Sequence, residues 1–179
     1  RCALPIWVRA KCGEPAPWLA VTGTSGETTT TQLAAHMGLA AGIRTAPCGN
    51  IGVPVLDVLR DPAEFQLLVV ELSSFQLHSL HSMSAHAAVV LNIADDHLEW
   101  HGSAEAYRAA KAKVYERPVI ACVYNTTDEV PPHMVAQAHL AAGCRAGRFR
   151  PRTPPPRSLG GVEAGLCRRP SAPRPPRRP

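Results

Sequence analysis

The chain has 179 residues, 45% of them hydrophobic, and a net charge of +5, which suits one domain with a sizeable core, with or without a tail. No apolar run approaches the roughly 18 residues a membrane-crossing helix needs, and the N-terminus (Arg1-Cys2-Ala3-Leu4-Pro5) lacks the apolar stretch of a signal peptide. From Pro151 onward seven Arg and one Glu carry +6 of the +5 total, leaving −1 for everything before it, so the folded part offers no basic face for nucleic acid.

Residues 1–16 show no periodicity and are expected to be a linker or the remnant of a preceding domain. The absence of an initiator Met suggests a piece of a longer protein. Trp18-Leu19-Ala20-Val21 is a short apolar run ending in Thr22-Gly23, a buried strand entering a tight loop. Thr28 to Ala41 predicts a helix stopped by Gly42, and Gly49 to Gly52 a Gly-bounded loop. Apolar runs recur at Leu67 to Val70, ending in Glu71, at Ala88 to Leu91, ending in Asn92, and at Pro118 to Val123. Strands that are apolar throughout, not alternating, belong to a parallel sheet covered on both faces. Helical segments between them, Ser103 to Tyr115 and Pro132 to Ala142, predict an α/β, three-layer, doubly wound and mostly parallel fold. Such sheets bind ligands beyond the C-terminal ends of their strands, which aligns Thr22 to Thr29, Glu71 and Asn92 to His97 along one edge.

From about Arg145 the composition turns Pro- and Arg-rich, with half of the 18 Pro at or beyond Pro151. Such a sequence cannot bury enough apolar surface to offset ordering entropy, so 146–179 is expected to be a disordered tail behind a domain spanning 17–145. Beyond Phe149 it also lacks aromatic residues for base stacking. The six Cys form no C-x-x-C pair and are read as reduced thiols in and near the core.

Gly23-Thr24-Ser25-Gly26-Glu27-Thr28-Thr29 follows a strand and opens a helix, a setting in which successive N–H groups and the helix N-terminus face an anion. As a general P-loop it fails twice: Val21 stands where the first Gly belongs, and Glu27 where Lys belongs. Alone it reads more readily as an ordinary strand–helix turn capped by Thr.

Four further segments change that balance: Gly49-Asn50-Ile51-Gly52, Glu71-Leu72-Ser73-Ser74-Phe75-Gln76-Leu77, Leu91-Asn92 with Asp96-His97 and Trp100-His101-Gly102, and Tyr107-Arg108-Ala109-Ala110-Lys111. With the loop they resemble, in order, the motifs of the Mur ligase family, and the stretch from Glu71 resembles the member that adds D-glutamate. The resemblance covers about Ala16 to Ala146, with a weaker echo to Pro170. It implies a P-loop-type central domain that takes ATP and Mg2+, with UDP-muramoyl-L-alanine and D-glutamate as substrates. It also implies a cytoplasmic setting in peptidoglycan precursor synthesis, with no nucleic acid and no membrane as partner.

By position, the loop Gly23, Thr24, Ser25, Gly26, Glu27, Thr28 and Thr29 would hold the ATP phosphates, with the Thr28 hydroxyl and Glu71 on one magnesium. His97 and a carbamate on Lys111 would serve a second magnesium as the catalytic pair. Asn50 and Ser73 would touch the muramoyl substrate. The residue types agree: oxygen ligands suit magnesium, and a carboxylate ending an apolar strand is costly to bury without a partner. Lys111 shares an apolar helix face with Tyr107 and Val114, where an uncharged amine or a snorkelling ammonium would both fit. A zinc site is the alternative for His97 and His101, four apart. His101 is otherwise read as structural, and His36, His78, His81, His86, His133 and His139 as surface or core polar residues.

Glu27 is the main departure. A unit charge pair at 4 Å is worth on the order of 4 kcal/mol at an effective dielectric of about 20. Reversing its sign turns attraction for phosphate into repulsion unless Glu27 takes up a proton or swings away. The family's uridine-gripping and amino-acid-bringing domains are not recognisable. The chain is therefore expected to be inactive alone, and monomeric or aggregation-prone through apolar surface left at former boundaries. The competing readings are a remnant that binds magnesium or muramoyl nucleotide without catalysis, and a basic-tail interaction module.

Overall fold

The computed structural model describes residues 16–140 and 142–151. Six strands form one fully parallel sheet. In chain order the elements are β1 (Trp18–Thr22), α1 (Glu27–Ala40), β2 (Thr45–Gly49), α2 (Val55–Arg60), β3 (Leu67–Glu71), α3 (Ser74–Ser79) and β4 (Ala87–Val90). There follow α4 (Leu98–His101), α5 (Ala104–Ala112) with a 3-10 turn at Lys113–Tyr115, β5 (Ala121–Asn125), α6 (Val130–Gln137) and β6 (Arg145–Phe149). The spatial order is β2-β3-β1-β4-β5-β6. The chain leaves β1 toward one edge and returns past it to build the other. The strand order therefore reverses at β1, and the crevice for a ligand opens at that strand's C-terminal end.

Alternate residues of each strand serve opposite faces. Ala20, Leu68, Val70, Ala88, Val90 and Cys122 pack in a large core with Leu77, Tyr107, Val114, Tyr115, Met134 and Val135, so α3, α5, the 3-10 turn and α6 cover that face. Val21, Val69 and Ala35 form a smaller core with Leu19 and Val89, built under α1. Burial on both faces explains why β1, β3 and β4 are apolar throughout. The outer side of α1 leaves Leu33, Met37 and Leu39 exposed.

Tyr115 ties the helical layer to the sheet. Its buried hydroxyl accepts from the Val90 N–H at 3.0 Å and donates to the Val123 carbonyl at 2.6 Å, and burial pushes its phenol well above the usual tyrosine range. Replacing Tyr115 by Phe leaves both backbone groups short of a partner, and is expected to lower stability in urea unfolding by about 2 kcal/mol. An unchanged unfolding midpoint would mean the two strands satisfy these groups without the hydroxyl.

Several expectations are corrected in detail. Arg145 does not begin the tail: Arg145–Phe149 is β6, paired in parallel with β5 from Ala121↔Arg145 to Asn125↔Phe149. The strand expected from Pro118 begins at Ala121 and runs to Asn125, and the helix expected over Pro132 to Ala142 spans Val130–Gln137. The helix expected to Tyr115 tightens into the 3-10 turn after Ala112. The calls on 1–15 and on 152–179 lie outside the described residues. Cys48 and Cys122 are free and buried, with burial pushing their thiols up to about 11 and about 12, which makes them unreactive.

Candidate functional site

The loop from Gly23 to Gly26 leaves the buried end of β1 and turns directly into α1. Gly26 sits at φ 81 as the residue before the helix, a left-handed conformation that costs any other residue. The loop is laced to the segment after β4. The Asn92 carbonyl Oδ1 accepts from the N–H groups of Thr24 at 3.2 Å and Ser25 at 3.0 Å, and its Nδ2 donates to the Ser25 carbonyl at 2.8 Å. The Thr24 hydroxyl accepts from the Ala94 N–H at 2.9 Å and lies 2.9 Å from the Tyr107 hydroxyl. Asn92 and Tyr107 thus shape the loop, although the sequence assigns them no role. The available signal was Asn92's place just beyond an apolar run. Thr28 and Thr29 are exposed in the first turn of α1, where the helix dipole favours an anion.

Glu27 does not point away from the loop. Its Oε1 accepts from the Gly23 N–H at 2.8 Å and from the Lys111 ammonium at 3.0 Å. The Lys111 side chain is 4% exposed and that of Glu27 17%, so this is a largely desolvated pair. Lys111 also donates to the Thr22 hydroxyl at 3.0 Å and to the Gly23 carbonyl. Thr22 has a single proton, which goes to the Leu72 carbonyl at 2.6 Å, so its 3.3 Å approach to Glu27 adds no second bond. Lys111 is therefore not snorkelling: the hydrogen-bond partners of its nitrogen are all oxygens, with the Tyr107 ring centroid 5.7 Å away. A carbamate on Lys111 would, in this arrangement, place one carboxylate beside another, that of Glu27.

Glu71 ends β3 and is 2% exposed. Its Oε1 accepts from the Asn50 side-chain amide at 2.9 Å, while Oε2 is buried without a partner among the described residues. A buried carboxylate oxygen left bare is costly, and a hard divalent cation is the group that would satisfy it. The donor chemistry fits magnesium at Glu71. Asn50, expected to touch substrate, is held by its own N–H on the Glu71 carbonyl at 2.9 Å and so orients that carboxylate. Ser73 caps α3: its Oγ accepts from the Gln76 N–H at 3.2 Å, and the Gln76 side chain accepts from the Ser73 N–H at 2.9 Å, a reciprocal capping box.

His97 opens α4 at φ 52, with Nε2 3.6 Å from Asp96 Oδ2. Its ring lies 4.8 Å from that of Phe75, which also meets Trp100 at 4.9 Å. His101 places Nε2 3.0 Å from the Ser74 hydroxyl, while its Nδ1 is buried without a partner among the described residues. Burial, then neighbouring His78, His97 and Lys111, push its imidazole below the usual histidine range. No hydrogen bond or ion pair joins His97 to Glu71 or Lys111 among the described residues. Nor do three His, Cys, Asp or Glu converge there to hold an ion, which leaves the zinc alternative without a ligand set. A cavity of about 550 Å³ lies elsewhere, lined by His81, Met83, Lys113, Arg117, Met134 and His139, and none of the expected site residues reaches it.

Residues 21–146 match the model of the Mur ligase middle domain. The chain is 56% identical over 160 residues to the UDP-N-acetylmuramoylalanine–D-glutamate ligase of Leifsonia xyli subsp. xyli, covering 87% of the chain and 31% of that protein. It is 53% identical over 156 residues to the ligase of the same name from Streptomyces coelicolor, covering 87% and 33%. The chain thus spans about a third of the length of the curated relatives it matches. Among solved structures it resembles the MurF ligase of Thermotoga maritima in complex with ADP, with a TM-score of 0.59, 22% identity, and coverage of 83% of this chain and 35% of that one. A second likeness is to an FPGS–AMPPCP complex, with a TM-score of 0.56, 16% identity, and coverage of 80% and 48%. Both are likenesses of fold.

Proposed function

The chain belongs to the Mur ligase family, and from that premise we propose that it is the nucleotide-binding middle third of a ligase that joins D-glutamate to UDP-N-acetylmuramoyl-L-alanine. The identity to two relatives of that name carries the substrate assignment. The bare, buried Oε2 of Glu71 beside the loop of Gly23 to Thr29 carries the metal assignment. The reaction would be the ATP-dependent one: the muramoyl-alanine carboxylate takes the γ-phosphoryl group as an acyl phosphate, the D-glutamate amine attacks its carbonyl, and inorganic phosphate leaves. Glu71 and the Thr28 hydroxyl would hold magnesium, which neutralises charge on the phosphates. Asn50 would keep Glu71 turned toward that ion. Ser73 would border the muramoyl side, and His97 would serve a second magnesium. The setting would be cytoplasmic, in peptidoglycan precursor synthesis; no helix of the described residues is long and apolar enough to cross a membrane.

The chain by itself would not ligate. Glu27 puts a carboxylate where the reaction needs a cation, and the relatives are about three times longer. A remnant that holds magnesium without turning over ATP is favoured by one observation, the Glu27–Lys111 pair beside an otherwise intact Glu71 and Asn50. The two readings separate in a chimera in which residues 17–146 replace the matching third of the Leifsonia ligase. With Glu27→Lys introduced, phosphate release dependent on D-glutamate is expected. With Glu27 retained, the rate should fall by at least about a hundredfold. A soluble, folded Glu27→Lys chimera with no D-glutamate-dependent turnover would sink the ligase assignment.

A further inference from the structure

Positions 27 and 111 are 84 residues apart in the chain and 3.0 Å apart in the fold. One carries a carboxylate, the other an ammonium, and both are largely closed to water. The carboxylate accepts the Gly23 N–H at 2.8 Å, which is the kind of donor a bound anion would use. The ammonium donates to Thr22 and Gly23 at the base of the same loop. The loop therefore already holds an anion, supplied by its own chain, and that anion has its own counter-ion.

We infer that Glu27 keeps Lys111 an unmodified ammonium, so that the residue at position 27 decides whether position 111 can become a carbamate. This deepens the proposed ligase reading, since only that reading expects a carbamate at Lys111. Carbamate formation removes one proton from the ammonium. The freed lone pair then attacks the carbon of dissolved CO2, the N–C bond forms as a C=O π pair moves onto oxygen, and a second proton leaves. The product bears a negative charge. Beside Glu27 that step breaks an ion pair and replaces it with two like charges at contact distance in a partly desolvated site, where screening is weak. Beside a cation at position 27 the same step would create an ion pair. The two positions thus carry opposite charges in either arrangement, with the signs exchanged.

The same geometry explains why the Glu27 departure is tolerated by the fold. A lone carboxylate at the loop base would be a buried unpaired charge. With Lys111 left unmodified it is paired, and the loop backbone is held, with Thr24 and Ser25 donating to Asn92.

The test uses 13C-bicarbonate NMR and thermal melting of the full chain, its Glu27→Lys and Glu27→Gln variants, and each with Lys111→Met added to separate Lys111 from the N-terminal amine. No carbamate resonance dependent on Lys111 is expected in the native chain, and no effect of bicarbonate on its melting. Both single variants are expected to gain the resonance. Bicarbonate should also raise the melting point of Glu27→Lys by on the order of 3 °C or more. A Lys111-dependent carbamate in the native chain overturns the inference without recourse to any variant. So does a Glu27→Gln chain with native circular dichroism and no resonance, the milder variant covering the case in which Glu27→Lys fails to fold. Nucleotide plays no part, so these outcomes are independent of whether the ligase reading survives.

Discussion

Magnesium-ATP is expected to bind the Glu27→Lys chain at least about a hundredfold more tightly than the native one in calorimetric titration. The native loop must give up the Gly23 N–H and part of the Lys111 ammonium before phosphate can enter, and Glu27 then faces the incoming charge. A unit pair near 4 Å is worth on the order of 4 kcal/mol at an effective dielectric of about 20. Removing a repulsion and adding an attraction could exceed that, while magnesium and the partial exposure of Glu27 reduce it. A hundredfold, or about 2.7 kcal/mol, is the conservative remainder. The titration belongs in bicarbonate buffer, because the substituted lysine otherwise meets the Lys111 ammonium at contact distance. Equal affinities for the two chains would mean that Glu27 does not guard the loop. If neither binds while circular dichroism stays native, the loop by itself supplies no nucleotide affinity, whichever residue stands at position 27.

Gly49→Ala is expected to be the most damaging small substitution in the sheet. A Cβ at Gly49 would lie 2.2 Å from the Glu71 carbonyl oxygen and 3.1 Å from Val70 Cγ1, at a φ of 108°. Neither obstacle is the free end of a side chain: one is the backbone of β3, the other a buried valine. β2 would have to move off β3, and with it Asn50, whose N–H and side-chain amide both hold Glu71. A loss of about 3 kcal/mol or more in urea unfolding is expected, together with weaker magnesium binding. Gly52→Ala is the control: at φ 58 with nothing within 4 Å, it meets only the backbone cost, about 1 kcal/mol. Equal unfolding midpoints for the two variants would show that β2 yields at Gly49 without strain.

Legibility of the fold followed burial. β1, β3 and β4 lie inside the sheet with side chains packed on both faces, so each appears in the sequence as a continuous apolar run. The two strands that escaped notice, β2 and β6, are its edges. β2 reads Thr-Ala-Pro-Cys-Gly, with Pro47 exposed, and an edge is where a strand tolerates proline because one side of its backbone has no neighbour to bond. β6 reads Arg-Ala-Gly-Arg-Phe, and its charges suit an edge that must not recruit another strand. All of its strand pairing is with β5 and it shows no apolar pattern of its own, so its composition resembles the tail that follows. The short helices α2 and α3 were likewise hidden: six residues each are too few to display a helical period.

The site was legible to a different depth. The loop, Glu71 and Lys111 stood out by residue type and position, because a phosphate loop after a strand and a carboxylate at a strand end are local features, whereas Asn50, Ser73 and the role of His97 came only from the resemblance to the Mur ligase motifs. Glu27 was marked too, as a sign error. The α/β class, the inner strands and the loop could thus be read from local pattern. The inward turn of Glu27, the bracing of the loop by Asn92 and Tyr107, and the arrival of Lys111 as a counter-ion came from packing alone. Those are contacts between residues 67 to 84 positions apart. Coulomb energy depends on distance and solvent access, and for such pairs both are set by the pairing of β4 with β1 and the packing of α5 against the sheet, which no local pattern encodes.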